Sequence, residues 1–294
     1  MYRSLATLGA VLILTGFAAL ASVYTVSDYK LRSVVDPPLF SQPVPSDSAS
    51  VERGRHLART RGCFGCHGQA LEGRVFTDQW DWVERAVAPN LAAYARDNEA
   101  AVVEAAIRHG IGKNGKALWS MPSYNWVHLT DSDVADLIAF LRSTTVQSSN
   151  LPRPKLGLKA RWSLTIGRDD HMNDLTGQMP ALLSIEDDNS PMAHGQYIAM
   201  TACNECHGFD LRGEMRRGEI IPDLAIAAAY STDDFRKLMR TGIALGEREL
   251  RLMSMVARDR FAFFTDAELD ALHTFLASLP SRPVPPDVPW RDAK

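Results

Sequence analysis

The stretches Cys63-Phe64-Gly65-Cys66-His67 and Cys203-Asn204-Glu205-Cys206-His207 each spell Cys-x-x-Cys-His. On a helix, the first Cys, the Cys three residues on and the His four residues on share one face. Two thiols placed there can form thioethers to haem vinyl groups while the imidazole reaches the iron. The motif therefore reads as covalent attachment of a c-type haem. All 4 cysteines of the chain lie in these two motifs, so none remains for a structural disulfide. Zinc is the competing reading, since Cys pairs and His are its ligands too. Zinc does not require His directly after the second Cys, and here that arrangement occurs twice. The expectation is two covalently bound haem c groups, attached at Cys63, Cys66, Cys203 and Cys206, with His67 and His207 on the irons.

Outward from the motifs the chain repeats itself. Arg53-Gly54-Arg55-His56-Leu57 precedes the first, and His194-Gly195-Gln196-Tyr197-Ile198 the second. Pro89-Asn90-Leu91 and Pro222-Asp223-Leu224 follow. Then come helical segments ending Arg108-His109-Gly110 and Arg240-Thr241-Gly242, each closed by a Gly suited to a helix C-terminus. Each repeat finishes with a Thr-Asp start signal, at Thr130-Asp131 and Thr265-Asp266, leading into an apolar-periodic helix. No long alternating run argues for a sheet, so each repeat is expected to be a small all-α unit.

A haem iron with His on one side takes Met as the first candidate for the other. Arg108 to Met121 is 13 positions, and Arg240 to Met253 is also 13. Met121 and Met253 are therefore the expected ligands. Met255 is a rival, because counting backward from Thr265 lands closer to it. Pro89 and Pro222 are candidates for support, since a metal-bound His usually donates its other ring N–H to a carbonyl. The remaining histidines (His56, His109, His128, His171, His194 and His273) stay unassigned.

Length and composition frame these motifs. A chain of 294 residues suggests about two domains, and a net charge of −3 without a basic run gives no case for nucleic acid. Leu5 to Val26 contains no charged side chain. As a helix it would span roughly 33 Å, enough for a bilayer core. Ala19-Leu20-Ala21 resembles a signal-peptide cleavage site, but the apolar run continues past it, which favours a retained anchor. Flanking charges leave orientation nearly tied. Haem attachment takes place beyond the bacterial cytoplasmic membrane, so the bulk of the chain is expected in the periplasm on a single-pass inner-membrane helix. The expected organisation is an anchor over 1–30, a Pro/Ser-rich tether over 31–50, a first domain over 51–144, a linker or strap over 145–190, a second domain over 191–280 and a Pro-rich tail over 281–294, with Trp290 placed to pin that tail.

Taken together, Cys-x-x-Cys-His, Pro-Asn-Leu, Ile-Arg-His-Gly, Ser-Met-Pro-Ser-Tyr and the Leu-Thr-Asp-Ser-Asp-Val run resemble a bacterial class I cytochrome c domain. The pattern is similar to diheme electron-transfer cytochromes and to the multiheme cytochrome subunits of membrane-bound alcohol dehydrogenases. It covers roughly residues 51–143 and 192–279. The resemblance implies an all-α fold of two tandem cytochrome c domains behind a transmembrane helix, with His67 and Met121 on one iron and His207 and a Met on the other. The second repeat departs from the pattern, having Met253-Ser254-Met255 where the first has Met-Pro. The dehydrogenase subunits carry three such domains against two here.

The function expected first is an electron carrier between respiratory-chain partners, delivering toward a terminal oxidase, and not an enzyme in its own right. The alternative is the electron-accepting cytochrome subunit of a periplasmic dehydrogenase, within a larger complex. A diheme peroxidase ranks third, because it needs an iron with an open position and both repeats offer Met. Its partners in either leading reading are redox proteins of the membrane or periplasm.

Overall fold

Hydrophobic stripes at helical spacing build almost everything in this chain. A computed structural model describes residues 2–76, 82–216 and 219–281. The Pro-rich tail, Trp290 included, lies outside the described residues. Helix α1 (Tyr2–Arg32) begins the chain, and its stretch from Leu5 is long and apolar enough to cross a membrane.

The first repeat folds as α2 (Ser48–Thr60), the one-turn α3 (Cys63–His67), a two-stranded antiparallel pair of β1 (Arg74–Val75) and β2 (Val87–Ala88), then α4 (Leu91–Asp97), α5 (Ala100–Arg108) and α6 (Asp131–Ser143). Asp47 caps α2 by accepting from the Ser50 amide, and Thr130 caps α6 by accepting from the Asp133 amide. These side chains satisfy amides that the helix itself leaves open. α2 and α6 cross at Gly54, where a Cβ would press on the Asp136 carbonyl and stand 2.8 Å from Phe140 Cβ. Glycine is what lets the two backbones approach this closely. Leu71, Val103, Val134, Ile138 and Leu141 fill the core beneath.

Residues 145–190 contain two further helices, α7 (Gly157–Thr165) and α8 (Met172–Gly177). α7 lies against the end of α1. Leu31 of α1 shares a small core there with Ala86, Ala88, Ala117, Leu156, Ala160 and Leu164. The periodicity of this segment reads as irregular in sequence for a physical reason. Leu158, Ala160, Trp162, Leu164 and Ile166 alternate with polar residues, a strand-like pattern that a helix turns into two apolar faces.

The second repeat follows the plan of the first. It runs α9 (Pro191–Ala202), α10 (Asn204–His207), β3 (Glu214–Arg216) paired with β4 (Glu219–Ile221), α11 (Thr232–Thr241), β5 (Ile243–Ala244) paired with β6 (Arg248–Glu249), α12 (Leu252–Asp259) and α13 (Asp266–Ser278). α9 and α13 cross at Gly195, where a Cβ would meet the Ala271 carbonyl and lie 2.8 Å from Phe275 Cβ. Thr265 and Glu268 form a reciprocal capping box, each side chain bonding the other's backbone N–H. The short strand pairs are a small addition to the all-helical expectation.

The two units meet face to face. His56 on α2 lies 2.8 Å from Glu268 on α13, and Tyr197 on α9 donates to Asp133 on α6. His56 and Tyr197 occupy the same place in the repeat, as do Glu268 and Asp133. One contact is thus the mirror of the other across a pseudo-two-fold axis. Arg61 is buried at this seam, with Nε donating to Thr201 Oγ1 at 3.1 Å and its guanidinium over the rings of Phe264 and Tyr197.

Candidate haem centres

The geometry around the two histidines repeats closely. His67 is buried and its Nδ1 lies 2.8 Å from the Pro89 carbonyl oxygen; His207 is buried and its Nδ1 lies 2.9 Å from the Pro222 carbonyl oxygen. A ring nitrogen facing a carbonyl must carry the proton, so in each ring the lone pair belongs to Nε2. Burial holds His67 down at about 4, opposed by the Pro89 bond, which keeps the ring neutral near pH 7. A neutral imidazole with its proton on Nδ1 is the form that ligates a metal through Nε2.

The carbonyls are positioned by the chain itself. Gly73 and Gly213 both sit at φ +81°, and a Cβ on them would lie 2.6 Å from the Ala88 carbonyl oxygen and 2.5 Å from that of Ile221. Their amides donate to the carbonyls of His67 and His207, at 2.7 and 2.8 Å. Each motif is therefore folded back on the strand that leads into its proline. Only glycine takes this left-handed conformation and close approach together without strain.

Cys63 packs against the first core and Cys203 lies within the second. Burial pushes their thiols up to about 11 and about 12, and raises that of Cys66 as well. None of the four cysteines is in a disulfide. Among the described residues, no group of three or more His, Cys, Asp and Glu could hold a metal ion, so the zinc arrangement finds no support in the geometry.

Met121 packs against the same core cluster as Cys63, and Met253 against the one that contains Cys203. Met255 is 56% exposed. The first methionine sits in irregular chain ahead of a short 3₁₀ turn at Ser123–Trp126, whereas the second lies on α12. Residues two apart on a helix point to nearly opposite sides, about 200°, which separates Met253 from Met255. The extra helix also absorbs the longer stretch between Met253 and Thr265.

Two features escape motif reading. Arg108 donates to the Leu129 carbonyl at 2.9 Å and pairs with Asp131 at 2.7 Å; Arg240 donates to the Ala262 carbonyl at 2.5 Å and pairs with Asp266 at 2.8 Å. Each arginine clamps the two ends of the segment that holds its unit's methionine. The repeat showed both arginines, but only the fold shows what they hold. Arg260 pairs with Glu205 in the second motif at 3.2 Å, while its Nη1 lies 2.7 Å from the place a Cβ would take on Gly62, beside the first motif. A single guanidinium thus links the two Cys-x-x-Cys-His segments.

The unassigned histidines have other work. His56 meets Glu268, His109 lies 2.9 Å from Glu104, and His171 caps α8. His273 stacks on Phe235, burial lowers the pKa of His128, and His194 is exposed. A surface hollow of about 320 Å³ lies outside α2 and α6 among Arg55, Arg59, Phe64 and Phe140, and none of the first unit's five expected haem-binding residues (Cys63, Cys66, His67, Pro89 and Met121) lines it.

The donor set fits a covalent haem. Each unit offers two thiols, an imidazole with its Nδ1 facing a carbonyl, and a thioether packed on the same core as the first thiol. Residues 51–145 match the family of cytochrome c domains. Such a domain carries covalently bound haem c. The chain is also similar to the gluconate 2-dehydrogenase cytochrome c subunit of Pantoea cypripedii, 24% identical over 80% of this chain and 60% of that one. The fructose dehydrogenase cytochrome subunit of Gluconobacter japonicus is 25% identical over 82% of this chain and 55% of its own length. The cytochrome c subunit of a quinone-dependent alcohol dehydrogenase from Gluconacetobacter polyoxogenes is 25% identical over 84% of this chain and 59% of its own. This chain therefore contains a cytochrome c domain and is homologous to cytochrome c subunits of dehydrogenases, which are electron-transfer proteins and not themselves catalysts. It spans about 55–60% of the length of these relatives.

Proposed function

We propose that this chain is a membrane-anchored diheme c-type cytochrome that accepts electrons as a subunit of a periplasmic dehydrogenase complex. The observation that carries the diheme reading is the second histidine. His207 meets the Pro222 carbonyl at 2.9 Å as His67 meets that of Pro89 at 2.8 Å, each with a glycine folding the motif back. On this reading the second repeat is a cytochrome c domain like the first. Cys63, Cys66, Cys203 and Cys206 attach the two haems, and His67, Met121, His207 and Met253 hold the irons. When bound, the haem would supply a one-electron couple, and a Met in the ligand set with His would raise its potential. The protein's part is to fix the imidazole through Pro89 and Pro222, clamp the methionine segments through Arg108 and Arg240, and exclude water with the two cores. α1 keeps both centres beside the membrane, with the haem units on the periplasmic side.

The sequence placed delivery toward a terminal oxidase first; the relatives favour the dehydrogenase subunit over it. In that role the donor is a partner that oxidises a small hydroxyl compound, since the relatives' own names specify gluconate, fructose and alcohol. Mild detergent extraction of the full chain tests this. A flavin- or quinone-containing dehydrogenase should co-purify, and adding its substrate should reduce the haems. A terminal oxidase as the sole companion, with haems that no such substrate reduces, would reinstate the carrier reading.

A further inference from the structure

We infer that α7 is a second membrane contact, lying in the phospholipid headgroup region beside α1 and seating the first haem unit on the bilayer. The inference extends the anchor reading and rests on it. At about 100° per residue, Leu158, Trp162 and Ile166 form one stripe on the helix, and Ala160 and Leu164 another on the far side. The inner stripe is buried against Leu31, Ala86, Ala88 and Ala117. The outer one is open, with Leu158 52%, Trp162 53% and Ile166 52% exposed. Three large apolar side chains in a row on a surface helix mark a contact surface.

Its position says what covers it. Thr165 Oγ1 donates to the Val23 carbonyl at 3.2 Å, so the end of α7 stands level with the apolar span of α1. Arg161 donates to Ser27 Oγ at 2.8 Å and lies over the Tyr24 ring, and Lys30 donates to the Leu164 carbonyl at 2.6 Å. α7 is therefore fixed to α1 at the depth where that helix leaves the hydrocarbon. Trp162, exposed Tyr24 and exposed Tyr29 fall at that level, where amphipathic rings favour the boundary between lipid and water. Lys159 and Arg168 on the exposed surface of the same segment are suited to anionic headgroups. A helix with apolar residues on both faces is consistent with burial on both, one in protein and one in lipid.

The test uses the full haem-loaded chain, alone, in vesicles of phosphatidylcholine and phosphatidylglycerol. Leu158→Cys, Trp162→Cys and Ile166→Cys each carry a nitroxide, with Leu12→Cys in α1 and Glu52→Cys on the exposed face of α2 as references. Visible spectra check that every variant keeps its haems. With the haems reduced, EPR power saturation compares relaxation by oxygen, which enters lipid, with relaxation by a water-soluble nickel chelate. The three α7 labels should show a higher oxygen-to-nickel ratio than Glu52→Cys, shifted toward Leu12→Cys. Labels that match Glu52→Cys while Leu12→Cys reads as immersed would overturn the α7 contact and leave the anchor standing. Protection that appears only after a dehydrogenase-containing membrane extract is added would assign the stripe to protein and overturn it too. A Leu12→Cys label open to nickel would sink the anchor and this inference together.

Discussion

At the scale of single residues, the proposed centres rest on a few side chains whose orientation follows from the backbone around them. Met253 packs on the core that holds Cys203, and Met255 stands 56% exposed. Met253→Ala is expected to convert one haem to a weakly ligated or high-spin form and lower its potential, since thioether ligation raises it. Met255→Ala should leave both haem spectra unchanged. Optical and EPR spectra of the two variants decide between them, and the reverse pattern would move the ligand two residues on. The cysteines, histidines and prolines were legible because the motif and its repeat bring them to notice without any fold. The arginines were not. Arg108 and Arg240 act through carbonyls 21 and 22 residues away in sequence, at Leu129 and Ala262, and backbone acceptors leave no trace in side-chain identity.

At the scale of elements, one close helix crossing sets each unit. Gly54 and Gly195 let α2 meet α6 and α9 meet α13 with a backbone carbonyl where a Cβ would stand. A carbonyl within a helix has no easy way to yield. Gly195→Val is therefore expected to destabilise the second unit by about 3 kcal/mol or more, at the upper end of ordinary overpacking. Denaturant unfolding followed by circular dichroism measures this; an unchanged midpoint would mean the crossing relaxes. The helices of both units were readable from caps and stripes, Thr130 and Thr265 among them. α7 was not. Its alternating apolar residues carry no one-sided stripe, because packing on Leu31 and Ala86 takes one face while the other stays apolar. The tertiary surroundings made a helix of a segment whose local alternation is strand-like.

At the scale of the whole molecule, the two units hold each other through His56 with Glu268 and Tyr197 with Asp133. The axis relating these contacts could not be read from sequence, because pairs 212 and 64 residues apart meet only once both units have formed. Burial would raise the Glu268 carboxyl, but the His56 bond and the Thr265 amide outweigh it and hold it at about 2, below its ordinary 4.5. A depressed carboxylate pKa adds stability that is present above the unfolded value and lost as pH falls through the folded one. The seam should therefore weaken between pH 4.5 and about 2, by roughly 3 kcal/mol at most. Glu268→Gln should flatten the acid limb of the stability profile in that window, and an unaltered limb would place the acid sensitivity elsewhere. The number of haems the chain holds decides what it can do. Intact mass of the purified full chain, read beside its pyridine haemochrome absorbance, tests it most directly. Two covalently added haems per chain are expected, and a mass carrying one haem, with Cys203 and Cys206 unmodified, would contradict it.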